Sequence, residues 1–537
     1  MTSRLSPLVY HNYSKSLCKC ITIWHAKRQK VNWTHPIILS TLYVTSRTKN
    51  KKRKVIIAMS KDKNKKSALW GILLALAAFL IIVFMPPMEG LSVAAQRSLA
   101  IFVSALILWI AKPIPIYQTS IIAVLLLPLI GVVEKQKEAF GTLGYDIIWL
   151  MVAAFVLTSA ISETNLGKRI ALSMVVKFGR TKVQTLAVLL AVNFILAFFV
   201  PSTTARASLI LPISIVLLQI YNELPGESNF GKLMMLQNVQ NNAFATSMVM
   251  TATSAQVIAI GFINKQAGAS LGYMDWLIVS MPQAILTAVI IFFIGVKLYK
   301  VGKEAGEEAM ANVKETLKKQ LADLGPTSPE EKRVGIIFLI TLILWATGDI
   351  QKKYLGFSIS TEQTAVLSML LCLLPGIGVL TWKQAKIKWD LMIFSAGAYA
   401  VGNAFDNTGG AEWMITNLVN AIGLDKLNHA AVAVILIFIT VFSHLIFTSK
   451  TVRTTILIPA IISIATTVGM NPVSLALTCS LGIATTITLP PHSKVNTLYF
   501  GTGYFSVLDE VKFGLLACLV HSIILSGMYF AWIQFIY

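Results

Sequence analysis

Two short stretches bring small hydroxyl side chains and cations together inside otherwise apolar sequence: Pro201-Ser202-Thr203-Thr204-Ala205-Arg206 and Thr448-Ser449-Lys450-Thr451-Val452-Arg453. They interrupt the apolar regions 184–221 and 430–468, each readable as two spans or as one re-entrant hairpin. Backbone that leaves helical geometry within a bilayer needs its N–H and C=O groups satisfied by protein, water or ligand. A tip that opens a new helix aims N–H donors and the positive end of the helix dipole at one spot, which suits a carboxylate. Two further regions, 233–264 and 473–500, are broken at Thr251-Ala252-Thr253-Ser254-Ala255-Gln256 and at Thr488-Leu489-Pro490-Pro491-His492-Ser493-Lys494. Consecutive prolines cannot continue a helix, so unwinding at Pro490-Pro491 is expected.

The candidate binding residues are therefore Ser202, Thr203, Thr204, Thr253, Ser254, Ser449, Lys450, Thr451, Pro491, His492 and Ser493, with Arg206, Lys450, Arg453 and Lys494 balancing anionic charge. His444 is a further candidate. A cation at the bilayer centre costs about 2.5–3.5 kcal/mol on insertion scales, so it has a partner or a purpose. Each Arg has a plainer reading as a tether to backbone carbonyls, and a lone Ser or Thr in a membrane helix usually bonds back to the previous turn. Two clusters in related positions favour a site, and Lys450, between Ser449 and Thr451, is the residue best placed to meet an anion. Asp146 and Asp390 are read as helix N-caps, Glu163 and Asp406 as structural. The five cysteines have no metal-ligand or disulfide spacing, so neither a metal nor a cofactor is expected.

The elements that position these residues form an internal repeat. Phe198–Ile213 lies over Leu445–Ala460 at a constant spacing of 247, with Ser202 on Ser449, Thr204 on Thr451, Arg206 on Arg453 and Pro212 on Pro459. Upstream, Tyr145-Asp146 echoes Trp389-Asp390, and Glu163 to Gly167 echoes Asp406 to Gly410. Spans are read near 69–85, 94–111, 116–133, 145–162, 233–264, 276–296, 334–348, 362–379, 389–405, 473–500 and 513–537. The expected fold is thus an all-α polytopic membrane protein of about 11 transmembrane helices plus two opposed re-entrant hairpins. Five spans separate matching landmarks, and an odd number reverses direction. The result is an inverted repeat, with a site where the halves meet near the midplane. Residues 59–300 form the first half, 334–537 the second, and 301–333 a charged, helical cytoplasmic linker whose Ser328-Pro329-Glu330-Glu331 reads as a helix start.

Composition agrees with lipid as the solvent. Of 537 residues 55% are hydrophobic and 13% charged, against about 25% charged in soluble domains. The net charge of +22 does not indicate nucleic acid. Lys and Arg gather in loops on one side, which sets the N-terminus in the cytoplasm and, after 11 spans, the C-terminus outside. Residues 1–58 hold twelve of these cations and no acid. They are a basic leader, either dispensable with Met59 as the natural start, or an acid-poor organelle transit peptide.

At the two tips the chain resembles the divalent anion/sodium symporter family, the INDY-like carriers, which carry Ser-Asn-Thr at each of two opposed hairpins. The resemblance runs from about residue 69 to the C-terminus. It implies a homodimer with a scaffold and a mobile transport domain, an elevator-type motion, and small dicarboxylate anions as substrates: succinate, malate, fumarate or 2-oxoglutarate. Here Ser202-Thr203-Thr204 and Ser449-Lys450-Thr451 keep the Ser and Thr but lack the central Asn that helps hold sodium. Lys450 sets a fixed ammonium where a sodium-associated group belongs. An empty carrier with uncompensated charge crosses reluctantly and a loaded one readily, so sodium-independent dicarboxylate exchange is expected; the alternative is a sodium-coupled di- or tricarboxylate symporter. A bacterial plasma membrane is the expected location, or a plastid inner envelope if the leader is a transit peptide. No HExxH, GxSxG or midplane Asp pair suggests an enzyme, and paired re-entrant hairpins suit an occluding site better than a channel.

Overall fold

The computed structural model describes residues 69–537, apart from 180, 201, 303–306, 424–425 and 447; the basic leader lies outside the described residues. Among these residues the chain is helical and has no strand. Six helices are long and apolar enough to cross a membrane, and several shorter apolar ones accompany them.

The first half runs α1 (Leu69–Phe84), α2 (Val93–Ala111), α3 (Ile116–Leu129), α4 (Asp146–Ser162), α5 (Leu166–Phe178), α6 (Lys182–Phe199), α7 (Thr203–Ile220), α8 (Asn229–Met248), α9 (Ser254–Gln266) and α10 (Tyr273–Leu298). The linker holds α11 (Glu307–Ala322). The second half runs α12 (Pro329–Ala346), α13 (Thr361–Leu373), α14 (Trp389–Asn407), α15 (Gly410–Ile422), α16 (His429–Phe442), α17 (Lys450–Thr467), α18 (Pro472–Ile483), α19 (Lys494–Phe500) and α20 (Val507–Met528). All four broken regions are α-helix, short link outside α-helical geometry, α-helix: α6/α7, α8/α9, α16/α17 and α18/α19.

One body of packing gathers α2, α3 and α14 around Trp109, Leu127 and Phe394. Its closest approach is at Gly397, where an added Cβ would lie 2.3 Å from Ser120 Cβ; Ser120 Oγ donates to Phe394 O there at 3.2 Å. A larger core holds the four broken regions. Within it the halves interlock: α9 of the first half packs along α17, the returning arm of the second hairpin, and α19 of the second half packs against α7, the returning arm of the first. Each unwound segment is thus carried to the opposite hairpin.

Local chemistry explains the element ends. Ser328 and Glu331 form a reciprocal capping box at the start of α12, and Glu331 also accepts from Arg169 Nε of α5 at 2.9 Å. That ties the linker to the first half. The cap reading of Asp146 and Asp390 needs correction: Tyr145 and Lys388 hold the N-cap positions, and the two acids sit in the first turns of α4 and α14. There they still favour the helix dipole. Glu163, at the C-cap of α4, accepts from Lys386 Nζ at 2.6 Å.

Candidate functional site: an anion cradle at two hairpins and two breaks

Of the four helices that follow the breaks, α7, α17 and α19 start on a serine side-chain cap, while Thr253 before α9 makes no such bond. Ser202 caps α7 by accepting from Ala205 N at 3.3 Å, and Ser449 caps α17 by accepting from Val452 N at 3.3 Å. The second pair match in backbone as well. Thr253, before α9, has φ −154° and ψ 146°; Ser493, before α19, has φ −151° and ψ 160°. Each follows a single 3-10 turn, Met250–Ala252 and Pro490–His492. The two breaks thus share one backbone conformation.

Both hairpins are held by a buried arginine three residues after the second tip residue. Arg206 is fully buried; its Nη1 donates to Val200 O at 2.9 Å and its Nη2 to Asn242 O at 3.3 Å and to Thr246 Oγ1. Arg453, equally buried, donates through Nη1 to Ser443 Oγ at 3.0 Å, and through Nη2 to Ile483 O at 2.5 Å and Thr485 O at 3.4 Å. Each guanidinium thus ties a tip to the end of the helix that enters the neighbouring break. The carbonyls that unwinding exposes are occupied by a planar, always-charged fork. Arg206 and Arg453 act as tethers, and their charge stays in the site.

Lys450 is different. It is the first residue of α17, half-buried, within electrostatic reach of Arg453 and Arg206, and its ammonium makes no hydrogen bond or ion pair with any described residue. A cation at a helix N-terminus opposes the dipole and is disfavoured for stability alone. Among the described residues, no carboxylate lies within ion-pair distance of Lys450, Arg206 or Arg453. Thr203, Thr204, Thr451 and Ser254 lie half-buried in the first turns beside these caps. Lys494 and Pro491 are exposed, so Lys494 is not brought into the buried cationic cluster.

Two side-chain networks line the second break. His444 Nδ1 donates to Val441 O at 2.7 Å, while Thr488 Oγ1 lies between His444 Nε2 (2.9 Å) and His492 Nδ1 (3.1 Å). Asn496 Nδ2 donates to Leu489 O at 3.1 Å and to Glu510 Oε1 at 2.9 Å, and Ser493 Oγ donates to Asn496 Oδ1 at 2.5 Å. Asn496 and Glu510 were not foreseen. Glu510 is 1% exposed, a carboxylate inside the core beside the second break. In sequence it is only the second acid after Ser506, indistinguishable from a first-turn acid. Its burial comes from packing of α20 on the break, where a Cβ added to Gly514 would lie 2.3 Å from Ile487 O.

Over the first break, α4 supplies Met151, Ala154, Phe155 and Thr158 to a small cavity of about 20 Å³ shared with Thr251 and Ser254. A cavity of about 500 Å³ lies elsewhere, at the far end of α9, between Asp146, Asn264, Lys265 and Glu362. No expected site residue lines it. Among its acids, Asp275 caps Gly272 N and Glu362 accepts from Ser360 Oγ.

A protein-family model described as the sodium:sulfate symporter transmembrane region matches residues 66–537. The chain belongs to this family. It is a multi-pass membrane transporter and not an enzyme. A membrane protein of Cupriavidus necator is 27% identical over 489 residues, covering 87% of this chain and 93% of that one. A sodium-dependent dicarboxylate transporter of Staphylococcus saprophyticus is 26% identical over 436 residues, covering 77% and 82%. A candidate malate transporter of Bacillus subtilis is 29% identical over 375 residues, covering 68% and 76%.

Proposed function

We propose that this symporter-family carrier transports C4 and C5 dicarboxylates, and that it does so by sodium-independent exchange. The observation that carries the reading is the Lys450 ammonium at a capped helix start, next to two buried guanidiniums and paired with no carboxylate among the described residues. A dianion offsets two of the three positive charges of that cluster. The Ser202 and Ser449 hydroxyls and the N–H groups of α7 and α17 meet its oxygens, two tips for two carboxylates. The named dicarboxylate and malate relatives support the substrate class. Charge sets the coupling: the loaded site crosses the membrane with one net positive charge, whereas the empty site carries all three into a low-dielectric environment, which is far more costly. Return therefore needs a second dianion. The broken regions move as one body past α2, α3 and α14 in an elevator-type step, in a homodimer, in the plasma membrane with the N-terminus cytoplasmic.

One observation favours a second reading, sodium-coupled symport: the relatives named as dicarboxylate transporters are named sodium-dependent. Uptake of labelled succinate and 2-oxoglutarate into proteoliposomes separates the two. Uptake restricted to vesicles preloaded with dicarboxylate, equal in sodium and in choline, is the exchange result. Uptake into empty vesicles driven by a sodium gradient is the symport result, and no uptake of either acid removes the dicarboxylate reading.

A further inference from the structure

The direction of every hydrogen bond around the second break follows from groups that can play only one role. A carbonyl only accepts, so the His444 nitrogen facing Val441 O, Nδ1, carries a proton. His444 is fully buried and pairs with no carboxylate among the described residues, so the ring holds that proton alone. Its Nε2 is then an acceptor, and the Thr488 hydroxyl must donate to it. The Thr488 oxygen in turn accepts from His492 Nδ1. In the neutral His492 ring this leaves Nε2 as a lone-pair acceptor, and it bonds to no other described group.

A second, separate chain gives the same polarity next door. Asn496 has two acceptors on one side of its amide, Leu489 O and Glu510 Oε1, so that side is its NH₂. Its carbonyl oxygen therefore faces Ser493, whose hydroxyl must donate to it. Ser493 also accepts from Asn496 N at 3.1 Å, and only a lone pair remains for anything else. The hairpin tips are the opposite case. Ser202 and Ser449 accept from the backbone and keep their hydroxyl protons free, beside an ammonium.

We propose that the second break is an acceptor subsite, in which His492 Nε2 and Ser493 Oγ receive a hydrogen bond from a hydroxyl group on the transported dicarboxylate. The carrier accordingly selects hydroxy-dicarboxylates of the malate type over succinate, which has the same chain length and lacks the hydroxyl. A fully ionised succinate has acceptors only, so it meets the donor-rich tips and leaves the two acceptors unmatched. An unmatched buried polar group is the contrast by which sites discriminate most strongly. Glu510 and Val441 O act as positioning groups here, fixing polarity from behind without touching substrate. This inference rests on the dicarboxylate reading and names the member of that class.

The test is competition against labelled succinate uptake in proteoliposomes by unlabelled L-malate, D-malate and succinate. In the wild type one malate enantiomer competes better than succinate on the order of tenfold, the worth of one well-made hydrogen bond. Ser493→Ala and Thr488→Val each bring that ratio to within about twofold, with malate weakened more than succinate; Thr488→Val does so by releasing the His492 proton from Nδ1. Ser493→Thr keeps the preference. A wild-type ratio near one, or variants that weaken both acids equally, overturns the acceptor subsite while leaving dicarboxylate transport standing. Absence of uptake of either acid overturns the functional reading and this inference together.

Discussion

The residues of the site divide by what their charge is doing. Arg206 and Arg453 each direct their Nη donors to backbone carbonyls and a hydroxyl at the ends of neighbouring helices. Replacing Arg453 by Leu strips charge-assisted hydrogen bonds of about 1.5–3 kcal/mol each and orphans the carbonyls. The expected result is a large drop in the melting temperature of the purified carrier, only partly restored by Arg453→Lys, because an ammonium cannot fork. A melting curve unchanged in Arg453→Leu would show that the tether is not holding the hairpin. Lys450 makes no such bonds, so Lys450→Met should leave the melting temperature within a few degrees of wild type, while weakening competition by succinate at least tenfold. These single residues were legible from the sequence because each cluster occurs twice at fixed spacing. The Thr488, Asn496 and Glu510 networks were not, since they join residues across elements and depend on which way α20 faces.

At the scale of elements, the account depends on short links and close approaches. The breaks at Thr251–Gln256 and Thr488–Lys494 could be read from Pro490-Pro491 and from polar runs inside apolar sequence, and α12 from its capping signature. The interlock of α9 with α17 and of α19 with α7 could not, because periodicity says which face of a helix is apolar and nothing about which partner covers it. Two glycines of α20 offer an internal control. An added Cβ at Gly514 meets Ile487 O at 2.3 Å and Thr488 Cα at 2.9 Å, whereas Gly527 has nothing within 4 Å. Gly514→Ala should push the break out of register and reduce transport more than tenfold. Gly527→Ala, in the same helix, should leave transport unchanged and add up to about 1 kcal/mol of helix propensity. Equal transport in the two variants would mean that α20 does not support the second break.

For the whole molecule, the inverted repeat makes a claim about sides. If the halves are related by reversal, the linker helix α11 and the loop between α15 and α16 lie on opposite faces of the membrane. Lys318, on α11, and Lys426, before α16, are both exposed. The cysteines at 372, 479 and 518 are buried and so slow to react. With Cys18 and Cys20 replaced, an impermeant maleimide applied to intact cells should label Lys426→Cys and spare Lys318→Cys until the membrane is opened. Labelling of both from outside would rule out this topology.

The central claim is that a fixed positive charge at the hairpin tips forbids the empty site from crossing alone. The most direct measurement is labelled succinate uptake by wild type and Lys450→Met, each in vesicles with and without internal succinate, without sodium. Wild type should take up label only into loaded vesicles, and Lys450→Met, weaker in affinity and with two of the three positive charges left, should depend less on internal substrate. Equal wild-type uptake into empty and loaded vesicles, or a dependence on internal substrate undiminished in Lys450→Met, would contradict it.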